Sequence, residues 1–312
     1  MNLYLDVLGR RGDGFHELET LITPISLFDT LRVAPSAAGD PSLTLRVHDL
    51  RPPTPGPTDG DGPAPGGDPI PTGSDNLVIR ALATLRERLG VSAGAVVDLW
   101  KRIPSRAGLG GGSSDAAAAL HAGQHLWNKR LPPGELAGIA AEIGSDVPAL
   151  LAAGATVCRG RGERVTPTPL PAGMACVLVQ PPVGLGAGQV FSQLEPSDYG
   201  APLHDAAGSG QLESRPLERL IAALRGGRLA DAAPLMQNRL QAAAERLTPW
   251  IDRLRHAMAG LPVAAHQMSG SGSVYFGLCE TPKLAGRVAA WLRQQRLGWV
   301  YTPRTLESPG AA

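Results

Sequence analysis

Aromatic side chains, cysteine and an excess of charge of one sign are all scarce in this chain of 312 residues. Aromatic residues make up 4%, and 29 basic against 28 acidic residues leave a formal net charge of +1. No stretch gathers Lys and Arg into a long basic face, which argues against a nucleic-acid partner. The three cysteines are odd in number and widely spaced, so we expect buried core positions rather than disulfides or a zinc site. They are Cys158, Cys176 and Cys279.

Long hydrophobic runs are also absent. No stretch reaches the ~18 consecutive apolar residues of a membrane span. The first residues, MNLYLDVLGRRGDGF, lack the basic and apolar regions of a signal peptide. We therefore expect a cytoplasmic protein that acts on a small molecule, has no nucleic-acid or membrane partner, and is a monomer or weak homodimer.

Glycine and proline, by contrast, are concentrated. Residues 51–73 hold 14 of the 39 glycines and 29 prolines, a composition typical of a solvated, partly extended loop. The hydrophobic content of 43% is enough for two modest cores. We predict an α+β protein with an N-terminal domain over 1–156, which contains this loop, and a C-terminal domain over 157–312.

The N-terminal half reads as strands followed by helices. NLYLDVLG alternates like a half-buried strand, and two glycines at turn spacing in RRGDGFHEL predict a hairpin. DNLVIRALATLRERLG predicts a helix with Asp75 or Asn76 as N-cap. GAVVDLWKRIP predicts a strand that Pro104 ends. In the C-terminal half, RLADAAPLMQNRL and QAAAERLTPWIDRLRHAMAG each predict a helix.

The stretch IPSRAGLGGGSSDAAAAL, residues 103–120, places its glycines directly before an alanine-rich helical segment. Amide groups at a helix start are unsatisfied donors with partial positive charge, and glycines let a phosphate approach them. We expect the helix to begin near Ser113, with Asp115 in its first turn. The hydroxyls of Ser113 and Ser114 are suited either to phosphate or metal contact or to N-capping.

Other phosphate loops fit less well. The third glycine of the dinucleotide fingerprint G-x-G-x-x-G is replaced by Ser113, and no lysine follows the glycines as a P-loop requires. A flexible linker does not usually lie between a strand ended by proline and a well-capped helix. A phosphate cradle is therefore the favoured interpretation.

The run from Pro104 to Ala116 resembles the P-x-x-x-G-L-G-G-G-S-S-D-A loop of the GHMP kinase superfamily. NLYLDVLGRRGDGFHELETL, IGSDVPALL and MSGSGSVYFGL resemble segments of one branch of it and occur in the same order. That branch phosphorylates the 2-hydroxyl of 4-diphosphocytidyl-2-C-methyl-D-erythritol in non-mevalonate isoprenoid synthesis. The resemblance implies a ribosomal-protein-S5-like N-terminal domain with a left-handed crossover, a ferredoxin-like C-terminal domain, and ATP and Mg²⁺ as cofactors.

The resemblance also implies roles for individual residues. Asp146 matches the catalytic aspartate, although an N-cap of the following helix is the alternative from the residues alone. Mg²⁺ would be held through the ATP phosphates, with Ser113 or Ser114 as candidate protein ligands. The expected ATP-binding residues are Pro104, Ser105, Arg106, Ala107, Gly108, Leu109, Gly110, Gly111, Gly112, Ser113 and Ser114. The expected substrate-binding residues are Asn2, Phe15, His16, Phe191, Ser269 and Gly270.

Several of these positions also have structural alternatives. His16 resembles the reader of a cytosine edge, Phe15 a stacking ring where tyrosine is usual, and Phe191 the opposite wall. Core packing explains either phenylalanine nearly as well, and a tight turn explains residues 269–272. Lys101 and Arg106 lie near the loop and are suited to phosphate contact. The alternative is that they are solvated residues that flank the loop.

The family pattern departs from this chain at one place. It begins P-A-K-[IV]-N-L, whereas the sequence begins Met1-Asn2-Leu3, so the lysine that pairs with the catalytic aspartate would fall one position before Met1. A start assigned at an internal codon, or a shortened chain, is the expected reason. The alternatives to the favoured function are another small-molecule kinase of the superfamily, or a nucleotide-binding homologue weakened by the missing lysine.

Overall fold

A computed structural model describes residues 1–52, 69–200 and 215–307. Most of the Pro/Gly-rich stretch, 53–68, lies outside these ranges. The strands are β1 (Asn2–Arg10), β2 (His16–Ile22), β3 (Thr30–Pro35), β4 (Leu43–Asp49), β5 (Ala95–Lys101), β6 (Thr156–Gly160), β7 (Arg164–Pro167), β8 (Ala175–Gln180), β9 (Gln237–Asn238), β10 (Ala265–Met268), β11 (Tyr275–Cys279) and β12 (Trp299–Tyr301). The α-helices are α1 (Leu77–Arg88), α2 (Gly111–Leu126), α3 (Pro133–Ile143), α4 (Val147–Leu151), α5 (Ala187–Phe191), α6 (Pro216–Arg225), α7 (Leu229–Ala232), α8 (Leu240–Leu247), α9 (Pro249–Ala259) and α10 (Pro282–Gln294).

The strands form three sheets, in the orders β7-β6-β2-β1-β9, β10-β11-β8-β12 and β3-β5-β4. The predicted hairpin is present, because β1 and β2 pair antiparallel with Arg10 opposite His16. Strands β6 and β7 follow position 156 in the chain, yet β6 pairs with β2 in the first sheet. Strand β9 also belongs to this sheet, so the sheet takes strands from both sides of the predicted boundary at 156/157, and the position of that boundary stays a prediction.

Each sheet buries an apolar face. The three-stranded sheet packs Val97 and Leu99 against α1 and α2, among them Leu82 and Leu120, in one core. The four-stranded sheet is buried on both faces, since successive residues of a strand point to opposite sides. Its Val177 and Val179 pack with α9 and α10, and its Cys176 and Leu178 pack with α6. This double burial explains the nearly continuous apolar run of β8.

The cap of α1 is as predicted, since the Asn76 side chain accepts a hydrogen bond from the amide of Val78. The start of α2 differs from the prediction: the helix begins at Gly111, and Gly110 stands at the cap position in the left-handed region with φ of 66°. Glycine adopts that conformation without the cost a side chain would add, so the helix starts earlier than its serines suggest. Asp115 therefore lies beyond the first turn and does not serve the helix dipole.

Two predictions for the C-terminal half are wrong. The segment that starts at Arg228 forms the short α7, a 3-10 turn and then β9, because Pro234 cannot continue a helix hydrogen-bond ladder. The segment that starts at Gln241 is split into α8 and α9, where Thr248 caps α9 and Pro249 opens it. The three cysteines are free and buried, as expected. None of the helices in the described ranges is long and apolar enough to cross a membrane.

Candidate active site

The glycine loop turns sharply between β5 and α2. Gly108 and Gly110 have φ of 69° and 66°, in the region that favours glycine, and Arg106 adopts φ of 51°. Because Gly110 has no side chain, the first turn of α2 has no side-chain cap. The amides of Gly111 to Ser113 therefore open toward the loop as donors without intrahelical partners. This is the geometry that binds a phosphate at a helix start.

A second glycine turn, residues 269–272, packs directly on the glycine loop. The hydroxyl of Ser269 donates a hydrogen bond of 2.8 Å to the carbonyl of Gly108, and the amide of Val274 bonds to the carbonyl of Ala107. A Cβ atom on Gly108 would overlap the Ser269 carbonyl oxygen and lie 2.7 Å from the amide nitrogen of Gly272. The two loops fit together only because glycine stands at this contact.

Beneath the loop lies a buried cluster of one cation and two carboxylates. The ammonium of Lys101 is 2.5 Å from Asp29 and 2.7 Å from Asp115, and all three side chains are nearly inaccessible to solvent. Asp29 also accepts hydrogen bonds from the amides of Arg102 and Ile103, where the chain leaves β5. Burial raises the pKa of Asp115 to about 7, with the neighbouring charge of Lys101 acting in the opposite direction. Lys101 is thus held by protein carboxylates and anchors the base of the loop.

Two cavities meet at the glycine loop. The first has a volume of about 740 Å³ and lies beside the β1–β2 hairpin and α5. The second, about 540 Å³, lies between the start of α1 and the residues of the glycine loop. The lining that they share comprises Gly108, Leu109, Gly110, Ser113, Asp146, Ala187 and Ser271. Among the described residues, Asp146 is the one acidic residue that lines both cavities.

Asp146 stands before α4 at the cap position, but its side chain makes no capping hydrogen bond. It lines both cavities and is exposed to the solvent that fills them. The protein packed around this cleft partly desolvates the carboxyl and so raises its pKa, while attraction from the α-ammonium group of Met1 acts in the opposite direction. A carboxylate free of capping and open to both cavities is available for chemistry.

The far side of the first cavity carries aromatic side chains. The ring of Phe191 stacks on His16 with 5.1 Å between centroids, and the hydroxyl of Tyr199 lies 3.4 Å from Nε2 of His16. Burial, and then the charge of Arg10, lower the pKa of His16, so the imidazole is neutral at neutral pH. A neutral imidazole presents one donor and one acceptor, which suits the edge of a nucleobase.

Phe15 lies at the mouth of this cavity with 48% of its surface exposed. Gly14, with φ of 86°, turns the hairpin so that Phe15 projects from it. The guanidinium carbon of Arg161 is 5.1 Å from the centroid of the Phe15 ring, within range for a cation–π contact. An exposed aromatic ring beside a cavity is a stacking surface rather than part of a core.

The residues predicted from sequence fall into three groups. Asn2, Phe15, His16, Asp146, Phe191 and Gly270 line the first cavity. The second cavity is lined by Pro104, Ser105, Arg106, Ala107 and the following residues through Ser113. Ser269 and Ser114 line neither cavity: Ser269 is fully buried under the loop, and the Ser114 amide bonds back to Gly110. Ser269 also accepts a hydrogen bond from the amide of Asn2.

Several residues at the site were not predicted. Arg161 lies in the β6–β7 turn, between Gly160 and Gly162, and no motif marks it. Tyr199 follows α5 without any motif that would mark it. Asp29 acts through a pairing with Lys101 across 72 positions of sequence, which no local pattern reveals. Asn76, which caps the helix beside the second cavity, does line that cavity, but its side chain is engaged by Val78 and Pro71.

Comparison with known proteins identifies the family. Family models described as GHMP kinases N terminal domain and GHMP kinases C terminal match residues 76–154 and 220–295. The 4-diphosphocytidyl-2-C-methyl-D-erythritol kinase of Pelotomaculum thermopropionicum is 37% identical over 94% of this chain and 91% of its own length. A crystal structure of 4-(cytidine 5'-diphospho)-2C-methyl-D-erythritol kinase has a TM-score of 0.73 at 35% identity, with 97% of this chain and 96% of that chain covered.

A homoserine kinase from Cytophaga hutchinsonii shares the fold, with a TM-score of 0.66 at 18% identity over 93% of this chain and 89% of that chain. The two-domain α+β architecture is that of the GHMP kinases, which are phosphotransferases with an alcohol group as acceptor. Within that class, the chain belongs to the 4-diphosphocytidyl-2-C-methyl-D-erythritol kinase family.

Proposed function

We propose that this protein transfers the γ-phosphoryl group of ATP to the 2-hydroxyl of 4-diphosphocytidyl-2-C-methyl-D-erythritol. The observation that carries the proposal is the position of Asp146, where the two cavities meet. One cavity has the aromatic rings and the neutral His16 that suit a cytosine. The other has the helix start that suits a triphosphate.

Asp146 acts on the acceptor hydroxyl. Its carboxylate accepts the hydroxyl proton, or orients the hydroxyl, as the oxygen attacks the γ-phosphorus in line with the leaving oxygen. A raised pKa favours this role, because a base is more effective when its pKa approaches the working pH. The family resemblance supports the same assignment.

The glycine loop binds the nucleotide phosphates. The amides at the start of α2 donate to phosphate oxygens, and the helix dipole favours their negative charge. Ser113 lines both cavities, so its hydroxyl would meet the γ-phosphate where nucleotide and acceptor come together. The remaining members of the loop, from Pro104 onward, shape the wall that the nucleotide contacts.

Mg²⁺ fits this site only together with the nucleotide. The described residues contain no group of three or more His, Cys, Asp or Glu side chains suited to a metal. Mg²⁺ commonly takes most of its ligands from substrate phosphates and water, so one serine hydroxyl is a sufficient protein contribution. Of the two candidates, Ser113 lines both cavities and Ser114 lines neither, so Ser113 would supply it. When bound, the ion would neutralise charge on the transferring group.

The acceptor base binds at the hairpin. Phe15 stacks on one face of the cytosine, His16 contacts its edge, and Phe191 forms the opposite wall. Asn2 and Gly270 line the same cavity, where the erythritol portion would pass. Ser269 lies buried beneath the cavity and holds Asn2 and Gly108 through its hydrogen bonds to them.

A substrate panel tests the proposal. Purified protein with ATP and Mg²⁺ is offered 4-diphosphocytidyl-2-C-methyl-D-erythritol, homoserine and mevalonate, and phosphorylated products are identified by ³¹P NMR. We expect a new phosphomonoester signal with the first acceptor alone. A product from homoserine or mevalonate but not from the cytidine compound would refute the proposal.

A further inference from the structure

We propose that Arg161, with Arg10 in the lining of the same cavity, binds the diphosphate of the acceptor substrate and so selects a nucleoside diphosphate derivative. This inference rests on the proposed function, since it assigns one part of the same substrate. It adds a cationic subsite between the stacking ring and Asp146. The subsite lies in the first cavity alone, because neither arginine lines the second.

The two arginines differ from their neighbours in having no acidic partner among the residues that the structure describes. On the same hairpins, Arg11 pairs with Asp13 and Glu17, and Arg164 pairs with Glu17. Arg10 and Arg161 make no ion pair with any residue of the described ranges, although both line the cavity. Cations that face a cavity without a carboxylate partner are available for an anionic ligand.

The local fold fixes Arg161 in place. Its amide donates a hydrogen bond of 2.7 Å to the carboxylate of Glu163, which closes the β6–β7 turn. The turn continues through Gly162, whose φ of 117° suits glycine. A Cβ atom there would lie 3.2 Å from the carbonyl oxygen of Ser145, so this turn packs closely beside Asp146.

The side chain of Arg161 extends from the turn beside Asp146 to the ring of Phe15, along the path that we assign to the diphosphate. Its turn is packed against Ser145, next to the proposed base Asp146, and its guanidinium lies over Phe15 at the proposed cytosine end. In the substrate, the diphosphate joins the cytidine to the erythritol whose hydroxyl is phosphorylated. A ligand placed with its base on Phe15 and its hydroxyl at Asp146 therefore brings its diphosphate to Arg161.

The charge of the cavity supports the same ligand. Asp146 is the one acidic side chain in the described lining of the first cavity, and it lies at the end where the phosphoryl group is transferred. At the hairpin end, the positive charge of Arg10 is already close enough to lower the pKa of His16. A guanidinium binds phosphate oxygens through two parallel N–H donors, which lysine cannot reproduce.

The experiment compares ligands that differ only in phosphate. Calorimetric titration measures binding of CDP and of cytidine to the wild-type protein and to Arg161→Met, which keeps the apolar stem over Phe15 but removes the charge. Arg253→Met is the matched control, because Arg253 makes the same contact with Trp250, at 5.2 Å, and lines neither cavity. Thermal melting confirms that each variant is folded.

We expect Arg161→Met to weaken CDP binding by about 10- to 100-fold and cytidine binding by less than about 3-fold. Arg161→Lys should recover part of the CDP affinity, and Arg253→Met should change neither ligand. In turnover, Arg161→Met should raise KM for the acceptor with kcat nearly unchanged, because the contact binds the substrate equally well in the ground state and in the transition state. Equal losses for CDP and cytidine, or unchanged CDP binding, would overturn the inference.

Failure of the proposed function would look different. Wild-type protein that does not phosphorylate the cytidine acceptor would refute that function, while a phosphate-specific loss in Arg161→Met would still support the subsite. Addition of ADP as a second ligand separates the two phosphate sites. We expect ADP affinity to be the same in Arg161→Met and wild type, because the second cavity does not include Arg161, and a parallel loss of ADP binding would contradict the assignment.

Discussion

The hydroxyl of Ser269 donates a hydrogen bond to the carbonyl oxygen of Gly108, across 161 positions of sequence. The contact joins a turn of the C-terminal part to the glycine loop of the N-terminal part. Ser269 is fully buried, so its hydroxyl cannot exchange this partner for water. The shape of the phosphate loop therefore depends on a residue far outside the motif that identifies it.

The first prediction concerns Gly108→Ala. The added methyl group would overlap the Ser269 carbonyl, and the φ of 69° is unfavourable for alanine. We expect a loss of about 2–4 kcal/mol in the free energy of unfolding and a raised KM for ATP. Urea unfolding and steady-state kinetics measure the two effects.

Gly138→Ala is the control for that prediction. Gly138 lies within α3, and no neighbouring atom comes within 4 Å of the position that an alanine methyl group would take there. Alanine at this position should stabilise the protein by about 0.5–1 kcal/mol and leave KM for ATP unchanged. Similar losses in both variants would show that the Ser269 contact is not responsible.

The second prediction concerns Asp146→Asn. Asparagine keeps the shape but cannot accept a proton, so kcat should fall by about 10²- to 10⁴-fold while ATP affinity changes little. Because the side chain makes no capping hydrogen bond, the melting temperature should stay close to that of the wild type. A loss of stability comparable to the loss of a helix cap would indicate a structural role instead.

The third prediction is the pH dependence of the same group. Asp146 must be ionised to act as a base, and its pKa is raised above the ordinary value of about 3.9. As pH falls through that raised pKa, the carboxylate is protonated and kcat/KM decreases. We therefore expect an acidic limb in the kcat/KM profile at a pH above about 4. A profile flat down to that pH would contradict the assignment.

The fourth prediction tests the stacking surface. Stacking of one base on an aromatic ring contributes about 1–3 kcal/mol, so Phe15→Ala should raise KM for the acceptor by about 10- to 100-fold. KM for ATP should not change. Phe28→Ala is the control, because Phe28 is 56% exposed and lines neither cavity. Equal effects of the two substitutions would show that surface aromatic loss alone is responsible.

Much of the site was predictable from sequence because its parts are local. The left-handed glycines, the helix after them and the Gly14-Phe15-His16 turn each lie within a few residues, where spacing reports conformation directly. The predicted start of α2, near Ser113, was wrong. Gly110 occupies the cap position without a side chain, so the helix begins before the serines that were expected to start it.

The rest could not be predicted because it depends on packing between distant segments. Lys101 was a candidate for phosphate contact, but Asp29 and Asp115 both hold its ammonium. Arg161 and Tyr199 reach the cavity from separate elements, and no local pattern distinguishes them from surface residues. Pairings of this kind follow from the fold, since they need the sheets and helices to be in place.

The last prediction compares a buried and an exposed ion pair of equal length. Lys101 and Asp115 are 2.7 Å apart and nearly inaccessible, whereas Arg88 and Glu142 are also 2.7 Å apart but about half exposed. Lys101→Met leaves two carboxylates buried without their cation, so we expect a loss of about 3–5 kcal/mol in the free energy of unfolding. Arg88→Met should cost at most about 1 kcal/mol, since water screens the exposed pair. Urea unfolding of both variants measures the difference, and equal costs would mean that Lys101 does not anchor the base of the glycine loop.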